Sequence, residues 1–185
     1  MGIVDILVKA SQYLPEVKNP EKEIPFKQKL IWTTIALVIF FIMGQITLVG
    51  MDLLSPSVQQ IMFAQTILAS NVGTLITAGI GPIVMASIFL QLFVGAKILN
   101  IDLGDPQGRM QFQALQKILA VILCFAEGYI YVASGLLTPI GGAGLANPWL
   151  WIVSLQIALG SLVLLYFDEI MSKYGLGSGI SLFIA

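Results

Sequence analysis

Residues 53–96, LLSPSVQQIMFAQTILASNVGTLITAGIGPIVMASIFLQLFVGA, carry no charged side chain. As one helix at about 1.5 Å per residue, this stretch would be about twice as long as the ~30 Å hydrocarbon core of a bilayer. It must break, and the sequence shows where. Pro56 lies between Ser55 and Ser57, Ser70-Asn71 interrupts the apolar run, and Gly79, Gly81 and Pro82 mark a hinge shortly afterwards. Lipid does not satisfy freed backbone groups, so a broken apolar segment in a membrane bundle usually lines a path or a site.

Composition sets the class. The chain is 57% hydrophobic and only 10% charged, whereas a soluble domain has roughly 25% charged residues. It reads as an integral membrane protein of all-α class, a polytopic helix bundle. There is no histidine and one cysteine, Cys124. That excludes disulfides within the chain, Cys/His zinc sites and imidazole proton relays. The net charge of −1 says nothing for a nucleic-acid partner. The first long apolar run starts at Leu30, after a polar segment with five lysines. It comes too late and runs too long for a cleavable leader.

Residues 1–29 form a basic, partly amphipathic segment, with Ile3, Leu7, Ala10 and Leu14 on one helical face. This suits a short helix in the membrane interface, or a frayed polar tail. Apolar length predicts spans over residues 30–49, 72–96, 112–137 and 149–167, and the start of a fifth at 180–185. If residues 53–96 cross once, all nine basic residues fall on the side of the N-terminus. Two crossings would scatter them. The positive-inside bias therefore predicts one crossing and a cytoplasmic N-terminus. Residues 53–71, with Gln59, Gln60, Gln65 and Thr66, would then dip into the bundle and return. Val58, Ile61, Met62 and Leu68 share a helical face that can pack on protein. An external cap helix is the plainer alternative.

Four residues stand out by spacing. Ile80 and Val84, and again Ile180 and Ile184, are four apart on a helix face. Such pairs abound in membrane helices facing lipid. If these four share a lumen, they form an apolar constriction that closes by dewetting. Glu127 lies mid-span between Ala126 and Gly128. A central carboxylate costs about 2.5–3.5 kcal/mol on insertion scales, so it should face protein or water. It reads as a gate residue or as a helix–helix contact. Asp168-Glu169 with Lys173 reads as a solvated turn with i,i+4 pairing. Gly175–Gly179 lacks the spacing of a phosphate loop and suits helix termination and close packing. No catalytic or metal-ligand pattern emerges.

Two stretches carry a family resemblance. GTLITAGIGPIVMASIFLQL at 73–92 and YFDEIMSKYGLGSGISLFIA at 166–185 resemble two signatures of SecY, the central subunit of the Sec protein-conducting channel. FQALQKILAVILCFAEGY at 112–129 fits between them, and LPEV at 14–17 is similar to the archaeal and eukaryotic branch. The resemblance implies the N-terminal half of an inverted-repeat, ten-helix channel. It makes residues 53–71 the plug, with Val58, Ile61, Met62, Gln65 and Leu68 among its residues. It makes Ile80, Val84, Ile180 and Ile184 pore-ring positions. Spans two and three would form one wall of a lateral gate holding Met85 and Glu127. Where this branch often has a hydroxyl residue, the chain has Met85, a departure that bears on the polar contact inside the gate.

The implied partners are SecE, a small beta or SecG-type subunit, the C-terminal half of SecY, the ribosome, signal sequences, nascent chains and the lipid bilayer. No cofactor, metal or enzymatic activity is implied. The implied location is the cell membrane, multi-pass. A secondary transporter with a broken helix is the alternative. It should cluster polar groups at the break, where this chain places Ile80, Ile83 and Val84. A purely structural membrane subunit would leave the re-entrant segment unexplained. Intramembrane proteolysis would need a nucleophile–base or dicarboxylate pair.

Overall fold

Proline sets most of the helix starts. Its missing N–H costs nothing in a first turn, and its fixed φ is already helical. In the computed structural model, which describes residues 15, 17, 20, 24–52, 54–56, 59, 72–99 and 101–184, Pro25 is the N-cap of helix α1 (Phe26–Met43). Pro82 lies in the first turn of α2 (Gly81–Gly95). Pro106 opens α3 (Pro106–Ala133) and Pro148 opens α4 (Pro148–Tyr174). A short α5, Gly179–Ile184, follows. Among the described residues there are isolated β-bridges but no longer strand.

Three helices, α1, α3 and α4, are long and apolar enough to cross a membrane. The expected span 72–96 is different. Its helix has 15 residues, about 22 Å, too short to cross alone. Residues 72–80 are irregular, because Gly73 and Gly79 adopt positive φ of 88° and 56° and Pro82 blocks helix propagation backwards. The first span also shifts, from 30–49 to Phe26–Met43. Gly44 ends it, donating its N–H to Phe40 O at 3.1 Å. Beyond it, β-branched Ile46 and Thr47 enter extended backbone. The third and fourth helices run past their expected bounds of 112–137 and 149–167 at the ends that carry charge. The expected interfacial helix at 2–14 lies outside the described residues.

The bundle is built around α3 and α4. Helix α3 packs along α2 and α4, while α1 and α5 lean on α4. Three apolar clusters run along it. Leu48, Val132 and Leu150 mark one end, Met43, Ile83 and Leu164 the middle, and Leu90, Ile101 and Leu115 the other end. Small residues let the backbones approach, as in lipid, where packing replaces the hydrophobic drive. Ala86, Ala120, Cys124 and Ala158 are fully buried. At Gly160 a Cβ would sit 1.8 Å from Leu75 O. Only glycine lets α4 lie against the irregular 72–80 chain. Helix α1 buries just Thr33, Ala36 and Met43; Ile39 and Phe40 pack against the middle cluster, and most of its other apolar side chains face outward.

The two ends differ in chemistry. At one, Glu169 accepts from Lys117 at 2.8 Å and from Lys173 at 3.0 Å. Glu169 Oε1 also takes the Val17 N–H at 3.1 Å, and Lys117 donates to Pro15 O at 2.7 Å. Lys173 further donates to Val17 O. The expected solvated turn at 168–169 is therefore corrected. These residues continue α4, and the Glu169 side chain is only 17% exposed, although its i,i+4 pair with Lys173 forms. Asp168 Oδ1 accepts the Ile180 N–H at 2.9 Å, which ties α5 to the end of α4. Gly175 closes α4 and Gly179 opens α5. At the opposite end, Asn147 caps α4, accepting the Trp149 N–H at 3.1 Å and donating to Ile140 O at 2.6 Å and Gly142 O at 2.7 Å.

Candidate pore and gate site

The break before α2 builds the site. Ile80, the N-cap of α2, has φ −91° and ψ 0°. Its carbonyl accepts from Ile83 N and Val84 N, both at 3.1 Å. That bifurcated bond stacks Val84 above Ile80 on one face and turns Ile83, 3% exposed, into the core. Ile80 is half-buried against the cluster of Met43, Ile76 and Leu164, and Ile180 packs on the same cluster. The structure thus brings Ile80 and Ile180 onto one apolar body. Val84 is half-exposed beside it, and Ile184 is 69% exposed. All four are aliphatic, so the surface they offer has no group to bind an ion.

The second part of the site runs along the seam between α2 and α3. Met85 and Glu127 line one open hollow of about 420 Å³, with Ile130, Tyr131, Ser134 and Leu136. The sequence did not signal how Glu127 is seated. Its Oε2 lies 3.2 Å from where a Cβ on Gly81 would be, so the bare glycine makes room for the carboxylate. That places Glu127 over the first turn of α2, where the helix dipole favours negative charge. Further along the seam, Leu90, Phe93, Leu99, Leu115 and Ile122 line a wholly apolar hollow of about 310 Å³. The seam thus carries one hollow that holds the Glu127, Tyr131 and Ser134 polar groups and one that is wholly apolar. Among the described residues, no group of three or more His, Cys, Asp or Glu side chains could hold a metal.

Of the expected plug residues, Val58, Ile61, Met62, Gln65 and Leu68 lie outside the described residues. What is described is the way in. Asp52 Oδ1 accepts the Leu54 N–H at 3.1 Å, Ser55 Oγ donates to Asp52 O at 2.9 Å, and Gln59 N–H bonds Ser55 O at 3.1 Å. This is a helical first turn started by an Asx-turn.

Comparison with known proteins places the arrangement. The family model described as SecY matches residues 74–185, and the one described as the plug domain of Sec61p matches residues 38–73. The chain belongs to the SecY family. It is 49% identical over 180 residues to a protein translocase subunit SecY from Methanocaldococcus jannaschii, covering 97% of this chain and 39% of that relative. A solved structure described as a protein conducting channel is 46% identical, with a TM-score of 0.77, and covers 100% of this chain and 40% of that one. Sec61 in a canine ribosome–channel complex from the endoplasmic reticulum gives the same identity, TM-score and coverage. The chain therefore has the fold of the N-terminal part of a SecY channel and spans about two fifths of the length of these relatives. The boundary between the two family models, at 73/74, falls on Thr74, where the break leading into α2 pairs with Thr47.

Proposed function

We propose that this chain is the N-terminal part of the central pore subunit of a Sec-type translocase. The complete assembly is a passive, gated channel that passes unfolded secretory polypeptides and releases membrane helices sideways into lipid. One observation carries the reading. The chain breaks at Ile80, Gly81 and Pro82, and Ile80, Ile83 and Val84 line that break with a lone carboxylate, Glu127, over Gly81, where a transporter would need a cluster of polar groups. In this reading Ile80, Val84, Ile180 and Ile184 form part of the closed ring, residues 53–71 form the plug, and Met85 and Glu127 lie in the lateral gate. The channel itself does no chemistry. A motor or ribosome drives it.

The partners follow from the same reading: SecE, a small beta or SecG-type subunit, the remaining half of SecY, signal sequences and nascent chains. The ribosome joins them because the canine relative is seen in a ribosome–channel complex. Orientation follows from charge. Lys27, Lys29, Lys97, Arg109 and Lys173 lie at or just beyond helix ends, and Lys117, within the first half of α3, pairs with Glu169 beside Lys173. The Glu169 end faces the cytoplasm of a multi-pass protein in the cell membrane.

The test is site-specific photocrosslinking to a stalled secretory chain in membranes holding the whole channel. A probe at half-exposed Val84 is expected to capture the chain, and one at buried Leu90 is not. Adducts from Val84 only to lipid or neighbouring helices would overturn the ring assignment.

A further inference from the structure

The segment leading into the plug is held by three partners in turn, and each backbone group tells which. Around Thr47 the chain pairs with the residues after the plug: Leu48 N–H bonds Gly73 O at 3.0 Å and Leu75 N–H bonds Ile46 O at 3.1 Å. Around Met51 it pairs with the α3–α4 connection: Asp52 N–H bonds Thr138 O and Ile140 N–H bonds Gly50 O, both at 2.9 Å. Val49 sits where the chain leaves one ladder for the other, and neither ladder reaches it. Its backbone is met by a side chain. Gln156 Oε1 accepts the Val49 N–H at 2.9 Å, and Gln156 Nε2 donates to Val49 O at 2.9 Å. The carboxamide takes the place of a third strand. Beside it, Gly50, with φ 92°, lies so close to Trp149 that a Cβ would be 2.2 Å from the ring.

Lipid offers these backbone groups no partner, so without Gln156 the joint between the two ladders would be the weakest point of the segment. From this joint we infer that Gln156 is a positioning residue, which latches the root of the plug segment to α4 and so holds the idle channel shut. The role in closure rests on the channel reading; the latch itself does not.

The test uses the whole channel, closed, in lipid nanodiscs and planar bilayers. Gln156→Met keeps the length and removes both bonds. Gln156→Asn keeps the polarity but is one methylene too short, and it serves if the methionine variant fails to assemble. Hydrogen exchange at the Val49 amide is expected to rise by about 10-fold or more in either variant, with exchange at Ile83 and Val84 in α2 unchanged. The idle ion leak is expected to rise several-fold while crosslinking of signal sequences stays at the wild-type level. Unchanged exchange at Val49 would overturn the latch. Faster exchange with an unchanged leak would overturn its role in closure. A wild-type channel that passes no secretory chain would defeat the channel reading, and that result appears in the unaltered protein, apart from any difference between variants.

Discussion

The two ends of the bundle solve the same problem with different materials. At the charged end, side chains join the parts: one carboxylate, Glu169, gathers Lys117, Lys173 and the backbone at Val17. At the opposite end no ion pair takes part among the described residues: backbone bridges at Thr47–Thr74 and Met51–Pro139 do most of the joining, helped by the neutral carboxamides of Asn147 and Gln156. Ion pairs near a surface are screened by salt and tolerate small displacements. Backbone ladders and glycine contacts are insensitive to salt and intolerant of added atoms. In the proposed orientation the adjustable joint faces the cytoplasm, and the rigid one roots the plug.

The sharpest way to break this contrast is to add volume at the rigid end. Gly160→Leu would drive a side chain into Leu75 O. We expect a loss of about 3 kcal/mol or failure of the channel to accumulate, measured as the protease-resistant, membrane-inserted fraction. Full accumulation would mean that residues 72–80 yield easily. At the charged end, Glu169→Ala leaves two partly buried ammonium groups without their carboxylate. The expected cost is about 2 kcal/mol. Faster proteolytic cleavage near residues 15–17 should accompany it, and 1 M salt should reproduce part of that effect in the wild type but not in the variant.

Asn147→Ala removes the cap of α4 and two bonds to the connection before it, for about 1 kcal/mol. This loss should be independent of salt, and chemical unfolding in detergent at two ionic strengths would check it. The smallest effect on stability belongs to the ring. Ile184→Ser should stay within about 0.5 kcal/mol, because the side chain is exposed. Ile180→Ser should cost more, since Ile180 packs on the central cluster. Replacing Ile80, Val84, Ile180 and Ile184 together by Ser should raise the idle ion leak of the whole channel. Unchanged conductance would remove them from the ring.

Sequence periodicity made the helices legible, along with the break between Gly79 and Pro82, because apolar length and proline act locally. The extent of α2 was not legible. Residues 72–80 are as apolar as a helix, and their glycine conformations, their pairing with residues 46–48 and their contact with α4 keep them irregular. Gln156 gave a weak signal, a lone carboxamide in an otherwise apolar span, but its partner is a backbone 107 residues away. Glu127 was legible as a residue that must avoid lipid, yet its seat over Gly81 depends on how α2 meets α3. Asp168 and Glu169 looked solvated because their partners come from α3, α5 and the N-terminal segment. Local pattern reveals what a segment is, and long-range pairing decides what it touches.

Helix α1 has a consequence in time. Thr33 Oγ1 accepts the Leu176 N–H across 143 residues of sequence. At about 5–20 residues per second, a ribosome needs roughly 7–30 s to make that interval. Throughout it α1 exists without the surface it will lean on. Its outward Leu30, Ile31, Ile35, Val38 and Phe41 make the wait safe, because lipid is an adequate partner for almost every face it has. Of the three long helices described, the one made first buries the least of itself against the others.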